Sequence, residues 1–138
     1  MSKKDLRRQL RLTTIPQNFI GDSLDKDEFH GTARLILRRV AKSLVQQGYL
    51  SPADYTIRSN KAGSAVLGEV ILHTNWFYLM IGESGILYRL CNSLDDYTGG
   101  QNRWLHYGVL RDNIINQEGS IESILLDKIY YLDSLKTF

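Results

Sequence analysis

With 138 residues, 43% hydrophobic and 23% charged, the chain is long enough for one domain with a single core and too short for two. That composition, with two prolines and eleven glycines, excludes wholesale disorder and collagen-like repeats. The net charge of +2 conceals an asymmetry: residues 1–48 hold ten Lys/Arg against five Asp/Glu, and residues 49–138 hold seven against ten. A basic N-terminal third on an acidic remainder points to a polyanionic partner or to complementary packing between subunits. The lone Cys91 cannot form an internal disulfide, no apolar run follows the basic start, and no stretch approaches the roughly 18 apolar residues of a membrane span. A cytoplasmic, non-membrane protein is expected.

Residues 1–22 lack a sustained apolar period. Lys3 to Arg11 suit one or two basic helical turns, which Thr13, Thr14 and Pro16 are expected to stop. This stretch reads as a basic N-terminal arm, ordered only if it docks, ahead of a single α+β domain over 23–138.

From Asp25 to Gln47 the spacing predicts a helix: Phe29, Ala33, Ile36, Val40 and Leu44 form one stripe, widened by Leu37, Ala41 and Val45. Asp25, Asp27 and Glu28 complement the helix dipole at its start, and Gly48 ends it. Its polar side carries Arg34, Arg38 and Lys42, with Arg39 beside them.

Four strands are predicted next, at Tyr55–Asn60, Ala65–His73, Trp76–Ile81 and Ile86–Cys91, joined by links short enough to force an antiparallel meander. With Thr74-Asn75 as a two-residue turn, Leu72 opposes Phe77 and Val70 opposes Leu79. The next link sets Ile81 opposite Ile86, Leu79 opposite Tyr88 and Phe77 opposite Leu90. Alternation then points Val66, Val70, Leu72, Phe77, Leu79, Ile81, Ile86, Tyr88 and Leu90 toward the core. The other face collects Arg58, Glu69, His73, Trp76, Tyr78, Arg89 and Cys91.

After Cys91 the chain is polar and turn-rich. Trp104–Tyr107 reads as a short fifth strand or a loop anchor, and Ser120 to about Leu135 as a helix capped by Ser120. The expected architecture is therefore α+β: an N-terminal amphipathic helix packed on a four-stranded antiparallel meander, then a polar loop and a C-terminal helix.

Three functions compete. Aromatics beside arginine on a sheet can stack bases, and clustered cations displace counterions from phosphates. Arg34, Arg38, Arg39, Lys42, Arg58, Trp76, Tyr78 and Arg89 thus define a nucleic-acid-binding surface, aided by Lys3, Lys4, Arg7, Arg8 and Arg11 of the arm. The same face also suits a protein partner or a second copy of the chain, because Trp, Tyr and Arg are enriched at interfaces. Against both stands coverage of that face by the C-terminal helix. The third reading is a hydrolase or transferase built on Asp95, Asp96, Asn102, Arg103 and His106, where carboxylates, an anion-binding arginine and glycine flexibility lie close in sequence. Adjacent aspartates also occur in plain turns. No nucleotide or nucleophile motif is present, and His30, His73 and His106 lack metal-ligand spacing, so no cofactor and no metal are expected. The leading expectation is a non-enzymatic nucleic-acid-binding module.

Overall fold

The computed structural model describes residues 1–61 and 63–136. The elements run α1 (Lys3–Asn18), α2 (Ser23–Gln46), β1 (Tyr55–Asn60), β2 (Glu69–Thr74), β3 (Phe77–Gly82), β4 (Gly85–Leu90), β5 (Arg103–Leu105), α3 (Tyr107–Ile115) and α4 (Ile121–Ser134). The strands form one antiparallel meander in the order β1-β2-β3-β4-β5. The α+β class stands, with two corrections among the described residues: the sheet has a fifth strand, and α1 and α3 join the two expected helices.

The expected stop near Thr13 is overrun. Thr13 and Thr14 turn their hydroxyls back onto the carbonyls of Leu10 (2.7 Å) and Arg11 (3.2 Å), and Asn18 Nδ2 donates to the Thr14 carbonyl (3.0 Å). Interior proline costs a helix about 3 kcal/mol. Here Pro16 lies in the last turn of α1, and Gln9, Leu12, Thr13 and Ile15 are buried. Their burial outweighs weak local propensity. α1 packs on α2 and α3, whereas α2 packs on β1 and β2, and α4 on β4. Asp22 caps α2, its carboxylate accepting from the Leu24 and Asp25 amides. Ser120 caps α4 as expected.

The β3–β4 register is the one read from the sequence, with Phe77 opposite Leu90, Leu79 opposite Tyr88 and Ile81 opposite Ile86. The β2–β3 register is displaced: Leu72 opposes Leu79 and His73 opposes Tyr78. The cause is Thr74. Its Oγ1 accepts from the amides of Trp76 and Phe77 and donates to the Phe77 carbonyl, so Thr74 closes the strand pair and Asn75-Trp76 makes the turn. Each pairing shifts by two residues, an even number, so both faces keep their membership except Trp76, which leaves the sheet. At the start of β2, Gly68 at φ +81° breaks the expected extension back to Ala65. Val66 is consequently exposed instead of in the core, and Leu67 is buried in its place.

The core lies between the sheet and the inner helices. Phe29, Ala33, Ile36, Leu37, Val40 and Leu44 of α2 are buried against Val70, Leu72, Phe77, Leu79, Ile81 and Ile86, with Ile121, Leu125, Ile129 and Leu132 of α4 alongside. Each large apolar side chain so buried contributes about 1.5–3 kcal/mol. α4 therefore sits on the core side and does not cover the opposite face.

Candidate nucleic-acid interface

The face opposite the core is partly roofed by the loop after Cys91. Tyr97 packs against Tyr78 with the rings tilted at 43° and their centroids 5.5 Å apart, and the Arg89 guanidinium lies 5.4 Å from the Tyr97 ring. Arg89 Nη1 donates to Asn102 Oδ1 and Nη2 to the Gly100 carbonyl, which pins the loop to β4. A Cβ on Gly100 would lie 2.6 Å from the Leu90 carbonyl oxygen, so only glycine permits this approach. His73 Nε2 lies 2.9 Å from the Ser93 carbonyl, and the Cys91 thiol donates to the Thr74 carbonyl (3.2 Å). Burial pushes the Cys91 thiol up to about 11, which leaves it protonated and unreactive at neutral pH. Ile71, Tyr78, Leu87 and Cys91 thus form a second small core, edged by Met80. Tyr78 and Arg89 are each only 9% exposed, too little for base stacking. Arg58, Tyr97 and Trp104 are among the residues left open here, with Thr56 and Asn60 along the β1 edge.

Trp76 stands apart from this face. Its indole N–H donates to the Tyr49 carbonyl (3.0 Å), its ring packs edge-on to Phe77, and Lys136 Nζ lies 3.5 Å from its centroid. It ties the α2–β1 link to the end of α4 and leans on the main core.

The loop residues Asp95, Asp96, Asn102, Arg103 and His106 do not converge on one pocket. Asp96 accepts from the Thr98 hydroxyl and amide and from Asn92 Nδ2, contacts that hold its carboxyl below the usual range. Asp95 is exposed, Asn102 serves Arg89, Arg103 lies over Tyr131 on the core side, and His106 occupies the N-cap of α3 without a side-chain bond. Asp96 is a turn-former here. Among the described residues, no group of three or more His, Cys, Asp or Glu is placed to hold a metal ion, and no helix is long and apolar enough to cross a membrane.

The cations gather on the opposite, helical side. Arg11 pairs with Asp25 and Glu28 (2.9 Å each), and Arg39 pairs with Asp5 (3.3 Å) and Glu122 (3.2 Å). These bridges run in opposite order along the two helices, so α1 and α2 are antiparallel. The basic start of α1 lies beside the basic second half of α2. From Phe29 to Gln46, α2 carries no Asp or Glu, and α1 carries only Asp5. Lys3, Lys4, Arg7, Arg38 and Lys42 are exposed and make no ion pair among the described residues. Arg34 turns aside to donate to Ser59 Oγ (3.1 Å), and Arg39 is spent on the bridge between α1, α2 and α4.

The expected surface therefore divides in two. Arg38 and Lys42 join the α1 lysines and arginines on the helical layer, while Arg58, Tyr78 and Arg89 lie across the sheet from them. Sequence reasoning missed Tyr97 and Trp104 as the solvent-facing aromatics of the sheet face. Trp104 would have followed from taking Arg103–Leu105 as a strand, whose alternation turns it away from Leu105 and the core. Tyr97 carries no sequence signal, because only the Arg89 contacts lay its loop on the sheet. The chain matches no family model, no curated protein and no solved structure.

Proposed function

We propose that the chain associates with nucleic acid through the exposed cations of α1 and α2, reading the phosphate backbone. The observation that carries this reading is the Arg39–Asp5 bridge, which sets Lys3, Lys4 and Arg7 on the same helical layer as Arg38 and Lys42, where Arg39 holds the neighbouring carboxylates of Asp5 and Glu122. Cations held on rigid helices release condensed counterions when they meet phosphates, and that release supplies sequence-independent affinity. The exposed aromatics of the sheet face, Tyr97 and Trp104, lie across the sheet from these cations, so they stack no base in this binding. Duplex and single strand are recognised through charge alone.

Fluorescence anisotropy with a labelled duplex across about 50–200 mM salt tests this: four or five phosphate contacts give a log–log slope of about −4. The double variant Arg38→Gln/Lys42→Gln lowers the magnitude of that slope by about 2. Salt-independent binding, or none at the lowest salt, overturns the reading.

A second reading has its own support. Trp104 and Tyr97 are 44% and 52% exposed on the open sheet face, beside Met80 and Arg58, a composition suited to a protein partner. If that face binds protein, Trp104→Ala abolishes the contact and leaves nucleic-acid affinity unchanged. A self-associating chain would show the loss as a lower mass in sedimentation equilibrium.

A further inference from the structure

β1 is one edge of the sheet: it pairs with β2 on one side, and no described strand pairs with the other. The register settles which backbone groups face outward. Asn75 donates its amide to the Asp54 carbonyl (3.0 Å), and these two residues continue the β1–β2 pairing by one step. In an antiparallel ladder, bonded pairs alternate with unbonded ones. Thr56 and Arg58 therefore exchange bonds with His73 and Ile71, while Tyr55, Ile57 and Ser59 turn their N–H and C=O groups away from β2. Among the described residues nothing bonds those outward groups.

Natural edge strands are blunted by shortness, proline, lysine or a bulge. The opposite edge, β5, is three residues long. β1 has six residues, no proline and an unbroken register. Its Tyr55 and Ile57 side chains lean on the core yet stay half-buried, because no strand lies beyond them.

Charge decides the occupant. Arg34 of α2 lies on the core side of this edge, 3.1 Å from Ser59 Oγ, and Arg58 stands exposed on the open side. Neither makes an ion pair among the described residues. The nearby carboxylates are engaged or set apart. Asp27 pairs with Lys61 (3.7 Å), Glu69 lies one strand in and accepts from Asn60 (3.0 Å), and Asp54 precedes the strand. A second copy pairing through the same edge would crowd its own Arg34 and Arg58 against these, and like charges across a strand pair destabilise it.

We propose that the β1 edge takes an extended acidic segment of a partner protein as a further strand. Main-chain hydrogen bonds to Tyr55, Ile57 and Ser59 supply the affinity, and alternate side chains supply the specificity. Apolar residues of the segment cover Tyr55 and Ile57 on the core side, while carboxylates meet Arg58 on the open side and Arg34 beside Ser59.

The test uses the full chain and two fluorescein-labelled peptides about eight residues long, one alternating valine with glutamate, the other valine with lysine. Anisotropy should show the glutamate peptide binding at least about tenfold more tightly. Ser59→Pro removes an outward N–H and fills that side of the edge with its ring, leaving the β1–β2 bonds in place. It should weaken the glutamate peptide at least about tenfold, whereas Ser59→Ala, which loses only the Arg34 contact, should stay within about threefold. Arg58→Glu should cut the preference between peptides at least about threefold, and Lys3→Glu, the same charge change on α1, should leave it intact. Circular dichroism checks each fold; should Ser59→Pro fail that check, Arg58→Glu against Lys3→Glu decides. Nucleic-acid affinity should be unchanged in Ser59→Pro, which separates this edge from the cations of α1 and α2. Equal affinity for the two peptides, Ser59→Pro binding as Ser59→Ala does, or equal effects of Arg58→Glu and Lys3→Glu overturns the proposal.

Discussion

The imidazole of His30 is 1% exposed between α2 and the segment leading into β2, with Nε2 2.7 Å from the Leu67 carbonyl and no partner for Nδ1 among the described residues. The neutral ring that donates from Nε2 fits this site. Burial, aided by Lys61 and Lys26 and opposed by the Leu67 bond, holds its pKa below the ordinary 6.5. The unfolded chain then takes up a proton that the folded chain refuses. Stability is complete above the ordinary value and falls as the pH drops through it, by at most about 1.4 kcal/mol per pH unit. Urea unfolding at about pH 7.5 and about pH 5.5 should show the loss, and His30→Gln should flatten it. An unchanged slope in that variant would assign the dependence elsewhere. Trp76 gives a second prediction at this scale. Because it is braced by Tyr49, Phe77 and Lys136, Trp76→Ala should lower stability by about 2–3 kcal/mol in denaturant titration while nucleic-acid affinity stays within about twofold.

Among the elements, legibility followed how purely apolar each buried stripe is. α2 and the β3–β4 hairpin could be read directly because seven of the nine buried positions of α2 and every core-facing position of the hairpin are apolar, so period and register follow from one rule. α1 was hidden because two members of its buried set, Gln9 and Thr13, are polar; Gln9 is satisfied only by Glu122 and Ile121, more than a hundred residues away. α3 is three turns or fewer, anchored by Tyr107, Leu110 and Ile114, too short for its period to stand out. The β2–β3 turn shifted because a threonine hydroxyl, invisible to hydrophobic patterning, closes it. The roof over Tyr78 shows the same limit: its charge partner Arg89 was legible on the right face, but its carbonyl acceptors were not. Gly100→Ala should drive the 92–102 loop off β4. Hydrogen exchange should then quicken in the loop while the helices keep their protection. Protection retained in the variant loop would contradict the docking role given to Gly100.

At the scale of the whole molecule, the sheet separates two chemistries that the sequence places on one surface. Helical packing gathers the cations of α1 and α2 on one side, while strand alternation sends Trp104 and Arg58, and the docked loop sends Tyr97, to the other. The composition asymmetry was therefore a sound guide to the basic layer, while the aromatic residues belonged to a different face. Whether nucleic acid meets the helical layer decides the proposed function. Backbone amide shifts during titration with a short duplex measure that directly. The account predicts perturbations along Lys3–Arg8 and Arg38–Lys42, with the amides of Thr56, Met80 and Trp104 unmoved. Shifts concentrated on the sheet face, with α1 and α2 silent, would contradict it.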